Sequence, residues 1–147
     1  MNGITIREGK YWERIRDFFI GYRLEYEEGE PRPEETIKLW EALDREGILA
    51  GAASLAYIGG RYVLNGIATD GEFRGIGLGG KLLETVMEEV KARGGEELYL
   101  IARVPDFYKH YDFEVIPVDQ VPDIFECTKC DQYQNTCFPE AMKKKLV

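Results

Sequence analysis

The stretch Arg74-Gly75-Ile76-Gly77-Leu78-Gly79-Gly80 decides the reading of this chain. It lies between a strand-like run ending near Thr69 and a helical run beginning near Leu78. Glycine carries no Cβ, so such a loop lets the main chain come close to a ligand. The first N–H groups of the following helix lack intrahelical partners and, with the helix dipole, favour an anion. The loop therefore predicts a main-chain site for a phosphate-bearing molecule. The plainer reading is a tight strand-to-helix connection.

Two phosphate loops are excluded by spacing. The nucleotide loop needs Lys-Ser or Lys-Thr after its last glycine, and this chain has Lys81-Leu82. The dinucleotide fingerprint needs G-x-G-x-x-G and an acid about 20 residues further on, beyond the helix. Here the acids downstream lie on the exposed face of the helix itself, at Glu84, Glu88 and Glu89.

Arg74-x-x-Gly77-x-Gly79 resembles the Gln/Arg-x-x-Gly-x-Gly/Ala signature of the GNAT superfamily of acyl-CoA-dependent N-acyltransferases. The context is similar too: a strand from Tyr62 to Thr69, the turn Asp70-Gly71-Glu72-Phe73, the loop and a long helix. A second segment, Asp106-Phe107-Tyr108-Lys109-His110-Tyr111-Asp112-Phe113-Glu114, resembles the family's F-Y-x-K-x-G-F-E stretch. The C-terminal segment adds Cys127-x-x-Cys130, Cys137 and Glu140-Ala141-Met142. With it the chain resembles the small stand-alone members grouped with amino-acid N-acetyltransferases of the N-acetylglutamate synthase type.

The resemblance implies a single α/β domain over residues 1–147, with a Cys-containing tail at about 119–147. The implied sheet is mixed, mostly antiparallel and twisted, flanked by helices and splayed where coenzyme enters. It implies acetyl-CoA as co-substrate, its pyrophosphate held by the main chain of Arg74, Gly75, Ile76, Gly77, Leu78, Gly79 and Gly80. The strand end Ile67-Ala68-Thr69 would pair with the pantetheine arm and offer a backbone N–H to the thioester carbonyl, as an oxyanion hole does. Tyr108 stands where the family carries the tyrosine that protonates the leaving thiolate, with Tyr111 as the alternative. A phenol, with a pKa near 10, suits that step.

The implied activity is transfer of acetyl to a small-molecule amine, for which an amino acid is one candidate, by direct attack on the thioester. The competing reading is a non-catalytic acyl-CoA-binding module, or a metal or partner clip built on the Cys tail. Three departures from the family pattern stand out: Val104-Pro105-Asp106 where many relatives carry Asn, His110 for Lys, and Asp112 for Gly. No carboxylate is singled out as the amine's base. Val63 and Asn65 occupy the strand where some relatives place a glutamate, and Glu25, Glu27, Glu28 or water stay open. Arg23 and Arg103 are candidates for an acceptor carboxylate.

Composition sets the outer limits. At 147 residues, 44% hydrophobic and 31% charged, the chain suits one ordinary globular domain. A net charge of −8 argues against nucleic acid as partner. No apolar run approaches the roughly 20 residues of a membrane span, and the N-terminus does not read as a signal peptide, so a cytoplasmic location is expected. A homodimer is left open. Lys143-Lys144-Lys145 reads as a solvated tail.

The cysteines are odd in number and clustered, against a disulfide framework. Cys127-x-x-Cys130 is half a zinc site, with Cys137 as third ligand and Asp131 or His110 as fourth. Three reduced thiols packing the tail is the favoured reading, so no metal ligand is assigned. The lone His110 reads as exposed rather than catalytic.

Local patterns give the elements. Ile4 to Arg7 reads as a strand. Tyr11, Trp12, Ile15, Phe18, Phe19 and Tyr22 recur at helical spacing and predict a helix over about 10–26. Residues 34–43 read as helix or strand, with the family order favouring a strand near the end. Strands follow over Ile48–Ile58, Arg61–Thr69 and Leu98–Arg103, a short helix over Pro105–Tyr111 and a strand over Phe113–Val118.

Overall fold

The computed structural model describes residues 3–21, 28–70, 77–102, 104–117 and 140–146. Strand β1 is Thr5–Glu8, helix α1 is Trp12–Gly21, and strands β2, β3 and β4 are Thr36–Leu43, Leu49–Ile58 and Arg61–Thr69. Helix α2 is Leu78–Ala92, strand β5 Glu97–Ala102, helix α3 Pro105–Lys109, strand β6 Glu114–Val115 and strand β7 Glu140–Lys145. Among the described residues seven strands join one sheet in the order β1-β2-β3-β4-β5-β7-β6. Only β4 and β5 run parallel, and α2 is the crossover between them. The fold is thus the mixed, mostly antiparallel α/β sheet that the sequence implies.

Alternation along the strands gives the sheet two apolar faces. Ala53 and Leu55 of β3 and Trp40 of β2 pack with Leu78, Leu82, Leu83, Val86, Met87 and Val90 of α2. The neighbouring positions Ala52 and Leu39 pack instead with Trp12, Ile15 and Phe19 of α1. Burying one such large side chain is worth about 1.5–3 kcal/mol, so α2 is held chiefly by its apolar stripe. Its end is closed by Gly94 at φ 82°, with Gly94 N–H on the Lys91 carbonyl (3.0 Å) and Gly95 N–H on the Val90 carbonyl (2.8 Å). That is the Schellman arrangement, which favours glycine.

Two ionic ties fix elements to the sheet. Lys38 of β2 bonds Glu89 of α2 at 2.8 Å, and Glu89 also accepts from Arg93 at 2.8 Å. Glu41 is buried on the α1 face of β2, where Arg7 of β1 donates to it at 2.9 Å.

Several expectations shift. Residues 36–43 are wholly strand. The first helix is described as far as Gly21, and its expected extension, with Tyr22, lies outside the described residues. Tyr11 is exposed, because the stripe turns Trp12, Ile15 and Phe19 inward instead. The larger correction concerns Lys143-Lys144-Lys145, which is not a solvated tail. It belongs to β7, inserted between β5 and β6, with Tyr99 opposite Lys143 and Glu114 opposite Lys143 on the other side. Ala141 and Met142, buried on opposite faces of β7, hold it there. The lysines are tolerated because Lys143 meets Glu97 at 3.2 Å and Lys144 meets a backbone carbonyl.

A candidate coenzyme cleft between two splayed strands

Strands β4 and β5 pair only at Tyr62↔Leu98 and Val63↔Tyr99. From Leu64 to Thr69, β4 keeps its partner β3 but has none on β5. The cause is local. Ser54↔Gly66 is followed by Leu55↔Leu64, so Asn65 is an extra residue bulged out of the ladder. A bulge bends its strand and raises its twist, which turns the far half of β4 away from β5. The backbone of Ile67, Ala68 and Thr69 therefore borders a wedge-shaped gap. Its edge N–H and C=O groups need partners.

Helix α2 starts at the mouth of this gap. Gly77 is its N-cap, at φ 79° and ψ 20°, with no side-chain cap. A Cβ on Gly77 would meet no atom within 4 Å, so glycine is required by the left-handed backbone and not by crowding. There is no acid in the first turn. A glycine N-cap without a side-chain cap, the positive end of a four-turn helix and a first turn free of acids suit a phosphate. Gly51 of β3 lets the helix start sit close to the sheet: a Cβ there would lie 3.0 Å from Leu82 and 3.1 Å from the Ala68 carbonyl oxygen. Leu78 and Leu82 are fully buried and anchor that first turn.

The third wall is α3. A Cβ on Gly79 would point between Phe107 at 3.4 Å and Thr69 Cγ2 at 3.9 Å, where β4, α2 and α3 converge. A Cβ on Gly80 would collide with the hydroxyl of Tyr111 and stand 2.8 Å from its Cζ. Phe107 and Tyr111, four residues apart, share a face and press on successive glycines. Tyr111 is half-buried.

Tyr108 turns the other way. It is 8% exposed, edge-on to Phe107 (5.0 Å) and to Phe113 (5.7 Å). Burial pushes its phenol well above the ordinary value of 10.0, which keeps the O–H protonated. Asp112 adopts φ 68°, the left-handed conformation that explains why glycine suits this position.

The structure thus brings the strand end Ile67, Ala68 and Thr69 beside the helix start Gly77, Leu78, Gly79 and Gly80, with Tyr111 in the turn after α3 against Gly80 and Tyr108 of α3 turned into the core. Arg74, Gly75, Ile76, Arg23, Arg103, Glu25, Glu27, Asp131 and the three cysteines lie outside the described residues. Glu28 and His110 are exposed and Val63 is buried among apolar neighbours. Among the described residues no three His, Cys, Asp or Glu side chains gather as metal ligands, and no helix is long and apolar enough to cross a membrane.

Three features escaped the sequence reading. The bulge at Asn65 leaves no local signature. Phe107 carries a signal in its i, i+4 spacing to Tyr111, which sets the two rings against Gly79 and Gly80. Ser54 is fully buried at the bulge, its hydroxyl unpaired among the described residues.

The sequence profile of the Acetyltransferase (GNAT) family matches residues 9–113. No curated protein matches the chain. Among solved structures, the fold is similar to that of a GNAT-family acetyltransferase from Staphylococcus aureus Mu50. The TM-score is 0.73 at 18% identity, covering 98% of this chain and 99% of that one. It is also similar to N-acetylglutamate synthase from Neisseria gonorrhoeae, complexed with coenzyme A and N-acetyl-glutamate (TM-score 0.72, 15% identity, covering 98% of this chain and 35% of that longer one). A third likeness is to the ribosomal-protein-S18-alanine N-acetyltransferase of Escherichia coli (TM-score 0.70, 17% identity, 98% and 94% covered).

Proposed function

Because the chain belongs to the GNAT acetyltransferase family, and is therefore an acyl-CoA-dependent N-acyltransferase, we propose that it moves acetyl from acetyl-CoA to the amine of a small molecule, with amino acids as the first class to test. The observation that carries this reading is the gap between β4 and β5, opening at the uncapped start of α2.

In this reading the pyrophosphate rests on the N–H groups at Gly77, Leu78, Gly79 and Gly80, with Arg74, Gly75 and Ile76 completing the loop. The pantetheine arm runs into the gap and bonds the free edge at Ile67, Ala68 and Thr69. One N–H of that edge donates to the thioester oxygen as negative charge develops. The amine nitrogen attacks the carbonyl carbon, a C–N bond forms and the C–S bond breaks. Tyr108 gives its proton to the leaving sulfur, and water takes the proton lost by the amine. The raised affinity of the buried phenol for its proton keeps it in donor form over the working pH range.

The amino-acid assignment is supported by the sequence resemblance of Cys127-x-x-Cys130, Cys137 and Glu140-Ala141-Met142 to amino-acid N-acetyltransferases of the N-acetylglutamate synthase type, while the S18-alanine enzyme has a protein acceptor on a similar fold. Release of free thiol from acetyl-CoA, followed against a panel of amino acids, polyamines and N-terminal peptides, tests the proposal. Turnover with an amino acid and none with peptides supports it. Coenzyme binding with no turnover on any amine points to the non-catalytic module.

A further inference from the structure

Two tyrosines on one short segment face different surroundings. Tyr108 enters the core, whereas Tyr111 stays half-exposed with its hydroxyl against the bare backbone of Gly80, third residue of α2. We propose that the Tyr111 hydroxyl is the side-chain donor to the coenzyme's pyrophosphate, standing where Gly80 lacks a side chain, so that it sets coenzyme affinity and not the acyl-transfer step. This rests on the acetyl-CoA reading above.

The geometry supplies the reasons. The Gly80 N–H belongs to the first turn, whose donors have no intrahelical acceptor. An O–H beside them adds a donor of the same polarity to the same spot. Phosphate as a charged acceptor makes that hydrogen bond stronger than a neutral one. The phenol is held in advance. Its ring lies 5.3 Å from Phe107 and 6.1 Å from His110. Its own N–H bonds the Tyr108 carbonyl at 2.9 Å, and its carbonyl accepts from Lys144 at 2.7 Å. A fixed donor loses little freedom when the ligand arrives. Glycine at 80 is what makes room: any side chain there would displace the hydroxyl.

The test uses the full chain with acetyl-CoA and, in parallel, S-acetylpantetheine, which lacks the pyrophosphate. Tyr111→Phe should weaken acetyl-CoA binding in calorimetry by about tenfold or more, the usual range for a bond to a charged group. KM for acetyl-CoA should rise with kcat retained, and kcat/KM for S-acetylpantetheine should not change. Gly80→Ser should also weaken binding while Tyr111 is present. In a Tyr111→Leu background the same Gly80→Ser change should restore part of the affinity, because a local hydroxyl then replaces the distant one. Wild-type affinity in Tyr111→Phe overturns the inference and leaves the cleft intact. A fall in kcat at constant KM also overturns it, since Tyr111 would then be the acid. If wild-type protein itself fails to bind acetyl-CoA, the cleft reading falls first and the inference with it.

Discussion

Lys144, on the last strand, donates from Nζ to the backbone carbonyl of Tyr111 at 2.7 Å. The two are 33 residues apart, and the bond pins the end of the α3 segment to β7, the strand between β5 and the edge strand β6. A carbonyl just past a helix end needs a donor, and a lysine there also complements the negative end of the dipole. The C-terminal strand thereby stiffens one wall of the cleft. Lys144→Met keeps the aliphatic stem and removes the donor. The expected loss is about 1 kcal/mol of stability, or roughly 2–4 °C in Tm. Thermal melts with and without acetyl-CoA measure it, and an unchanged Tm would show that water replaces the ammonium.

Gly77 and Gly79 should fail differently. Gly77→Ala forces a Cβ into a left-handed backbone at φ 79°, which costs about 1–2 kcal/mol and shows first as lost stability. Gly79→Leu places a side chain between Thr69 and Phe107 and should abolish acetyl-CoA binding in a chain that still folds. Calorimetry and circular dichroism on both variants separate the effects. Full affinity in Gly79→Leu would move the coenzyme elsewhere.

Tyr108→Phe removes one oxygen from a packed ring and should leave fold and coenzyme affinity in place. Turnover should drop by about 10²–10⁴, the usual contribution of a general acid. In the wild type, kcat should show no alkaline decline from this phenol near pH 10, because burial has raised its value. Wild-type turnover in the variant would remove Tyr108 from the chemistry.

Asp112→Gly should stabilise the chain by up to about 1 kcal/mol, since the left-handed conformation at φ 68° strains any residue with a Cβ. Urea unfolding measures the midpoint. A lower midpoint would mean that the aspartate makes a compensating contact.

Stability should fall at both ends of the pH scale for named reasons. Glu89 has a pKa lowered from 4.5, first by its hydrogen bond from Lys38. Its contribution is present above that value and is lost as pH falls. Lys143 has a pKa raised from 10.5, first by its bond to Glu97. Its contribution is present below that value and is lost as pH rises through the higher folded one. Glu89→Gln should flatten the acid side of a Tm–pH curve and leave the alkaline side as it was. Lys143→Gln should do the reverse.

Local pattern was enough for α2 and its Gly94 stop, for β3, β4 and β5, and for the glycine start of the cleft. In each case a period of 3.6 or 2, or a residue with special backbone freedom, carries the information within a few positions. Residues 34–43 stayed ambiguous because Ile37, Leu39 and Trp40 satisfy both periods, and β2 became a strand through its partners β1 and β3. Tyr108 and Tyr111 are the same residue type three positions apart, so nothing local says which one enters the core.

The sequence by itself determined the family, the α/β class and the glycine start of α2, because glycine spacing and helical periodicity are short-range properties. Only the tertiary structure decided that Lys143-Lys144-Lys145 is an interior strand and that β4 leaves β5 at Asn65. It also decided that Tyr111 covers Gly80. Each depends on which distant backbone or ring arrives beside a residue, and a burial of that kind is set by the whole sheet and not by its neighbours in the chain.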